Sequence, residues 1–438
     1  MCVCFCSRHE YTCTNSVGAW DPWLKQFWMY TKEITTWTGA SEQPMLKQGT
    51  IRKEPKMSAE SRFTKLRWAL TVIGLVLYVV DIVSDAFLGA KYLYDGHVTW
   101  GVLTFLFVLC ASVCTQIFSY RWFSDDKSEP SGDDAKVSCV SWDFITGLHI
   151  LQMGIFTRYF QLLRSSFRVL RSKCASGDSE ARVHRGLFGQ ATDLSMLRLF
   201  EAFLESVPQL LLQLYIVLLG HGHISVLQFI SMVASFFNVS WAMVDYRRCH
   251  RRSLPHLSEM QGLATAVYLL YKLSTISTRV FSLSLLLALS PLNLASMALV
   301  WLMATAWAFS LRTDFCTSRA LEWLYRAVVG AILLFSFFNV KGENTRVPMT
   351  VYYVVYALQS LSAPLQLYAF GPDVLRLEYG LAAILAGLCV GLSMLGVYYS
   401  LLHQREEAGT RVADEVDGLE RQEEGLDTSP RIRRFLQI

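Results

Sequence analysis

Read for apolar and polar positions, the chain falls into ten apolar runs, near residues 66–90, 98–120, 143–163, 194–219, 224–244, 262–289, 291–311, 320–340, 349–370 and 377–402. Each is about 20 residues or longer, the length a helix needs to cross about 30 Å of hydrocarbon. A backbone in lipid must satisfy its own hydrogen bonds, and runs this long suit helices rather than the alternating ten-residue strands of a barrel. The expected fold is therefore all-α, a polytopic membrane helix bundle.

Ten full crossings conflict with the charges between the runs. Arg164, Arg168, Arg171, Lys173, Arg182 and Arg185 make the loop after the third run the most basic, and Arg247, Arg248, Arg251 and Arg252 mark a second basic loop. Both belong on the cytosolic side, as do Arg62, Lys65 and Arg67 ahead of the first run. The third run must then enter and leave on one side. The eighth must do the same, because Arg312 and Arg319 precede it and Lys341 and Arg346 follow it. The expectation is eight transmembrane helices plus two re-entrant segments at matching places in two pseudo-repeats, with both termini cytosolic. Paired halves with interrupted segments are also how transport folds place a midplane site.

Composition agrees with a membrane protein: 53% of the 438 residues are hydrophobic, 17% are charged, and the net charge of +4 is scattered, leaving no footprint for nucleic acid. Residues 1–56 are polar and hold Cys2, Cys4, Cys6 and Cys13. They are read as an extension, disordered or arising from an upstream start, ahead of a compact lead that opens at Met57; a palmitoylated Cys-rich N-terminus is the alternative. Residues 57–402 then form the transmembrane bundle and 403–438 a cytosolic tail. The cysteines within apolar runs read as buried thiols. No Cys-x-x-Cys pair occurs among the eleven cysteines, so no metal is expected.

The chemistry sits inside the apolar runs. Asp81 and Asp85 lie four residues apart in the first run, and Glu201 and Glu205 repeat that spacing in the fourth, with Arg198 one turn before Glu201. Placing one such charge at the bilayer centre costs about 2.5–3.5 kcal/mol on insertion scales, so these side chains must face the bundle interior or a wet cavity. Arg279 in the sixth run is the expected partner for the acids. The group reads either as an ion-pair network holding the two halves together or as a polar track for a charged cargo. Pro208, just after Glu205, should kink the fourth run and free carbonyls beside the acids. Asp245 is expected to pair with a neighbouring arginine, and the tryptophans, including Trp100, Trp122 and Trp301, to mark membrane interfaces. No Gly-Lys pair and no Gly-x-Ser-x-Gly turn occurs, so the Walker-type ATPase motif and the nucleophile elbow are both absent. No cofactor is expected, and whatever moves does so downhill.

The stretches "TDLSMLRLFEAFLESVPQLLLQLYIVL", "SWAMVDYRRC" and "EWLYRAVVGAILLFSFFNVKGENT", together with the acidic tail motif, make this chain resemble the XK-related membrane proteins. The resemblance runs from about Met57 to the C-terminus and leaves the first 56 residues outside. It points to the branch of caspase-activated phospholipid scramblases, which expose phosphatidylserine on apoptotic cells. It implies eight transmembrane helices and two inserted segments, and matches the family's intramembrane acids to Asp81, Asp85, Glu201 and Glu205. Some family members are known chiefly as partners of single-span membrane proteins.

The tail itself is polar, rich in Glu and without an apolar period, so it should be accessible to a protease. Asp414, Glu415, Val416 and Asp417 followed by Gly418 form an extended acidic tetrapeptide of the kind an executioner caspase holds with arginines. Cleavage after Asp417 would release a segment whose last eight residues include Arg431, Ile432, Arg433, Arg434, Phe435 and Leu436. That basic, apolar end reads as an inhibitory segment docked in an acidic cytosolic cavity, or else as a peripheral membrane anchor. The function expected is energy-independent scrambling of phospholipids, including phosphatidylserine, at the plasma membrane, by a protein that is not an enzyme but a protease substrate. A solute or ion transporter and a non-transporting membrane partner are the alternatives.

Overall fold

The computed structural model describes residues 2–4, 13–15, 63–128, 142–171, 178–220, 226–253, 260, 262–313, 315–340, 346–370 and 374–402. The chain divides into two compact units. The first holds Met1–Lys56 and Asp126–Gly147, and its N-terminal part carries a two-stranded antiparallel ribbon, β1 (Cys2–Cys4) and β2 (Cys13–Asn15), in the register Cys2 opposite Asn15 and Cys4 opposite Cys13.

The second unit is all-helical among its described residues. In chain order the helical elements are α1 (Lys65–Tyr94), α2 (Val98–Ser128), α3 (Trp142–Ile150), α4 (Gly154–Arg171), α5 (Asp178–Glu201), a π-turn (Ala202–Ser206), α6 (Val207–Leu218), α7 (Val226–Ser253), α8 (Gly262–Leu289), α9 (Asn293–Ser310), α10 (Arg319–Phe335), α11 (Arg346–Phe370), α12 (Val374–Val397) and a final π-turn (Tyr398–Leu402), of which the end of α2 from Asp126 and the start of α3 up to Gly147 belong to the first unit. Among the described residues six helical stretches are long and apolar enough to cross a membrane: Lys65–Tyr94, Val98–Asp126, Val183–Leu218, Gly262–Leu289, Asn293–Ser310 and Gly380–Ser400.

The third apolar run is not one helix. It breaks between α3 and α4, where Met153 N–H donates to Leu148 O and Gln152 N–H to His149 O, the paired bonds of a helix stop with Gln152 at φ 62°. A side chain other than glycine in that conformation needs support, and Ser112 Oγ on α2 supplies it with a 2.5 Å bond to Gln152 Oε1. At the next turn Gly154 N–H donates to Gln116 Oε1, and a Cβ on Gly154 would lie 2.2 Å from that oxygen. The eighth run also stops short: α10 ends at Phe335 and residues 336–340 are non-helical.

The basic loop expected after the third run is largely helical instead. Arg164, Arg168 and Arg171 lie on α4, and Arg182 and Arg185 lie on α5, which starts at Asp178. The polar first turns of α5 carry no apolar period, which is why hydropathy placed its start sixteen residues late, at 194.

One buried core holds the second unit together, from Phe63 and Phe118 through Phe200 and Val244 to Tyr356 and Tyr398. At its centre α8 packs against α6, α7, α11 and α12. Its approach to α12 is close because Gly387 and Gly391 face Thr278 and Thr275, the small-residue contact that lets helices pack in lipid. Trp122 does not mark an interface: it is fully buried and meets Phe315 edge-on at 6.1 Å. Trp301 is anchored by Nε1–H donation to Ala327 O.

Candidate functional site

Helix α1 inverts the usual arrangement. Its outward face, including Val76, Val80, Val83 and Phe87, is exposed and apolar, while its inward face reads Arg67, Thr71, Gly74, Tyr78, Asp81, Asp85. Those six positions alternate steps of four and three, so they form one stripe along the helix. At 1.5 Å per residue the stripe runs about 27 Å, close to the thickness of the hydrocarbon. Arg67, Thr71, Tyr78 and Asp85 are buried, and Asp81 is half-buried.

Opposite it stands a second stripe on α5 and α6: Arg198, Glu201, Glu205, Gln209 and Gln213. From Glu201 on they are spaced by fours, and so would rotate off one face of an α-helix. The π-turn over Ala202–Ser206 adds a residue to the turn and brings Glu205 and Gln209 back toward the face of Glu201. Pro208 explains its position. The proline has no N–H to give and its ring crowds the carbonyl four residues earlier, so the ladder widens into the π-turn ahead of it.

The two stripes meet. Ser206 Oγ lies 3.4 Å from Asp81 Oδ2, and Arg198 donates to Glu201 at 2.5 Å while its guanidinium sits 4.9 Å from the Tyr78 ring centroid. The side chains of Glu205 and Gln209 lie beside Asp85, yet Glu205 Oε1 and both polar atoms of Gln209 are buried without a hydrogen-bond partner. Of the four carboxyl groups, Glu201 is the one that holds the Arg198 guanidinium directly.

Further ion pairs extend the polar surface. Arg67 binds Asp245 on α7 through two bonds, at 2.6 and 3.3 Å, and also donates to Cys249 Sγ. The partner of Asp245 is therefore on α1 rather than among the neighbouring arginines. Arg158 on α4 approaches Asp193 on α5 at 3.7 Å and donates to Ser119 O.

Arg279 does not join the acids. Its Nε donates to Leu334 O and its NH2 group to Gln359 Oε1, at 2.9 and 2.6 Å, and its guanidinium lies 5.6 Å from the Tyr356 ring. One heptad earlier on the same helix, the buried Lys272 donates to Ser336 Oγ and Phe337 O, at 3.0 and 2.8 Å. Both cations bind the end of α10, where helical carbonyls lose their partners, so the stop of that short helix is held by charge. Lys272 was legible only as a lysine in an apolar run, seven residues before Arg279. Arg158, a charge inside the third run, carried the same signal, whereas Tyr78 and Gln209 carried none.

Among the described residues no group of three His, Cys, Asp or Glu side chains could hold a metal ion. A cavity of about 350 Å³ opens between α8, α9 and α11, lined by Leu286, Val300, Val355 and Leu358 with Asn293 and Gln359 at its polar margin. The caspase-type site at Asp414, Glu415, Val416, Asp417 and Gly418, and the basic end from Arg431 to Leu436, lie outside the described residues.

The XK-related protein family model matches residues 69–404. XK-related protein 9 of Tetraodon nigroviridis is 48% identical over 367 residues, 82% of this chain and 96% of that protein. XK-related protein 8 of Gasterosteus aculeatus is 33% identical over 79% of this chain and 86% of its own length, and that of Pan troglodytes 31% over 76% and 83%. With the model covering most of the chain and the matches running nearly the length of the relatives, the chain belongs to the XK-related protein family.

Proposed function

We propose that this protein is a caspase-activated phospholipid scramblase, which lets lipids including phosphatidylserine pass between leaflets without an energy source. One observation carries the reading: the inward face of α1 is a polar stripe about 27 Å long, on a helix whose other face is exposed and apolar. A head group crossing the bilayer unaided must shed its water, and a polar wall reaching across the hydrocarbon replaces that hydration while the acyl chains stay in lipid. Asp81, Asp85, Glu201, Glu205 and Arg198 are the residues that would line the path. Arg279 stands apart from it, and would act by holding α10.

Two broken helices support a fold of eight transmembrane helices and two re-entrant segments. Both α7, of 28 residues, and α11, of 25, are long enough to complete the eight with the six apolar stretches. The loop charges favour cytosolic termini, and the family resemblance favours the plasma membrane, an executioner caspase acting after Asp417, and a single-span membrane partner.

The test is reconstitution of the full chain in liposomes with fluorescent phospholipids, read by quenching of the outer leaflet before and after caspase treatment. Scrambling only after cutting is expected, and Asp417→Ala protein should stay silent. Movement of a small cation without lipid would replace this reading with a transporter.

A further inference from the structure

The last described turn of the chain, the π-turn Tyr398–Leu402, immediately precedes the tail, and Tyr398 is fully buried. A π-turn has poorer hydrogen bonds than an α-helical one, so its persistence calls for support from outside. Arg247 of α7 gives that support. Its guanidinium carbon lies 5.2 Å from the Tyr398 ring centroid and 4.8 Å from that of Tyr268 on α8, and the two rings are 5.0 Å apart.

The contacts continue inward. Lys272 Nζ lies 5.5 Å from the Tyr268 ring and 4.8 Å from that of Tyr271. The same ammonium donates to Ser336 Oγ and Phe337 O, in the non-helical segment 336–340 that follows α10. Among the described residues no carboxylate pairs with Arg247 or Lys272. Aromatic faces and α10's end are what hold these two cations.

We propose that the ladder Tyr398, Arg247, Tyr268, Lys272 is a coupling device: it carries the state of the tail from the π-turn to the break after α10, and keeps the bundle closed while the tail is intact. The proposal rests on the scramblase reading only in taking the tail as inhibitory. Guanidinium suits the first link because a planar cation can lie against two rings, which an ammonium cannot do as well. Lys272 suits the last because its acceptors exist only where α10 stops. Each rung touches both neighbours, so the π-turn cannot shift without loosening Arg247, nor Arg247 without altering Tyr268 and Lys272.

Amide hydrogen exchange on the full chain in nanodiscs, before and after caspase cutting, tests the device directly. In wild-type protein cutting should speed exchange about tenfold at both 398–402 and 336–340. In Arg247→Gln the change should stop at 398–402. Equal transmission to 336–340 in that variant, or no change there in wild type, overturns the proposal. Should Arg247→Gln aggregate, Arg247→Lys keeps the charge but not the plane, and the same two results decide. In the lipid assay, Asp417→Ala/Tyr398→Leu protein should scramble uncut, at least about tenfold faster than Asp417→Ala alone; silence in the uncut double variant that scrambles normally when its tail is truncated overturns it. Loss of scrambling in cut wild-type protein would instead strike the proposed function, leaving the exchange result standing.

Discussion

Arg67 and Asp245 are 178 positions apart and meet at 2.6 Å, tying the first turn of α1 to the last third of α7. Removing Asp245 strands the buried Arg67 guanidinium, but Cys249 Sγ still accepts from it and water can enter where the more exposed Asp245 side chain stood. Asp245→Ala should therefore lower stability by about 2–3 kcal/mol, below the cost of breaking a fully buried pair. Arg67→Met/Asp245→Leu should recover most of it. Thermal unfolding in detergent, followed through tryptophan fluorescence, measures both; equal losses in the single and double variants would show that packing, not charge, holds the joint.

The two glutamates of the second stripe should part company. Glu201 holds Arg198 at 2.5 Å, so Glu201→Gln strands a nearly buried guanidinium and should cost about 3 kcal/mol. Glu205 has an oxygen without a partner, and Glu205→Gln keeps the shape while replacing the ionisable carboxyl by an amide. That variant should unfold at or above the wild-type temperature yet scramble lipid about tenfold more slowly, the loss of about 1.4 kcal/mol expected when the carboxyl no longer serves a passing head group. A Glu205→Gln protein that scrambles at full rate would make the acids a structural lock.

Much of this was legible beforehand, for physical reasons. Runs of about 20 apolar residues have few alternatives to a helix in lipid, and α8 was placed to the residue at Gly262–Leu289. The acid pairs stood out because a charge among apolar neighbours is costly. Partnership did not stand out: spacing says which face Arg279 occupies, and nothing about which of the surrounding helices that face meets. The start of α5 was hidden for the opposite reason, since its first turns contain Glu180, Arg182 and Arg185 and no membrane signal. The π-turn before Pro208 was visible as a disturbance but not as the device that aligns Glu205 and Gln209 with Glu201.

Gly387 sets the distance between α12 and α8. A Cβ there would lie 2.0 Å from Thr278 Oγ1 and 3.3 Å from its Cβ. Rotation of the threonine could accommodate alanine, whereas a branched side chain must push the helices apart. Gly387→Val should destabilise by about 2–3 kcal/mol, at the upper part of the range for overpacking, and Gly387→Ala by clearly less. Gly380, with no atom near its Cβ position, provides the control: Gly380→Ala should not destabilise, and by helix propensity should gain up to about 1 kcal/mol.

The basic end of the tail makes the last test, because its two readings respond oppositely to charge. As an inhibitory segment, Arg431, Arg433 and Arg434 seek acidic protein surface; as an anchor they seek anionic lipid. Arg433→Glu/Arg434→Glu, in a chain that also carries Asp417→Ala, should scramble without cutting if the segment inhibits, since two attractive contacts become repulsive. High salt should do the same to uncut wild-type protein by shortening the Debye length from about 8 Å at 0.15 M to about 3 Å at 1 M. The synthetic peptide "GLERQEEGLDTSPRIRRFLQI" added to cut protein should restore silence in liposomes of neutral lipid. An anchor predicts otherwise: the peptide would act only where anionic lipid is present, and the double charge reversal would leave uncut protein silent.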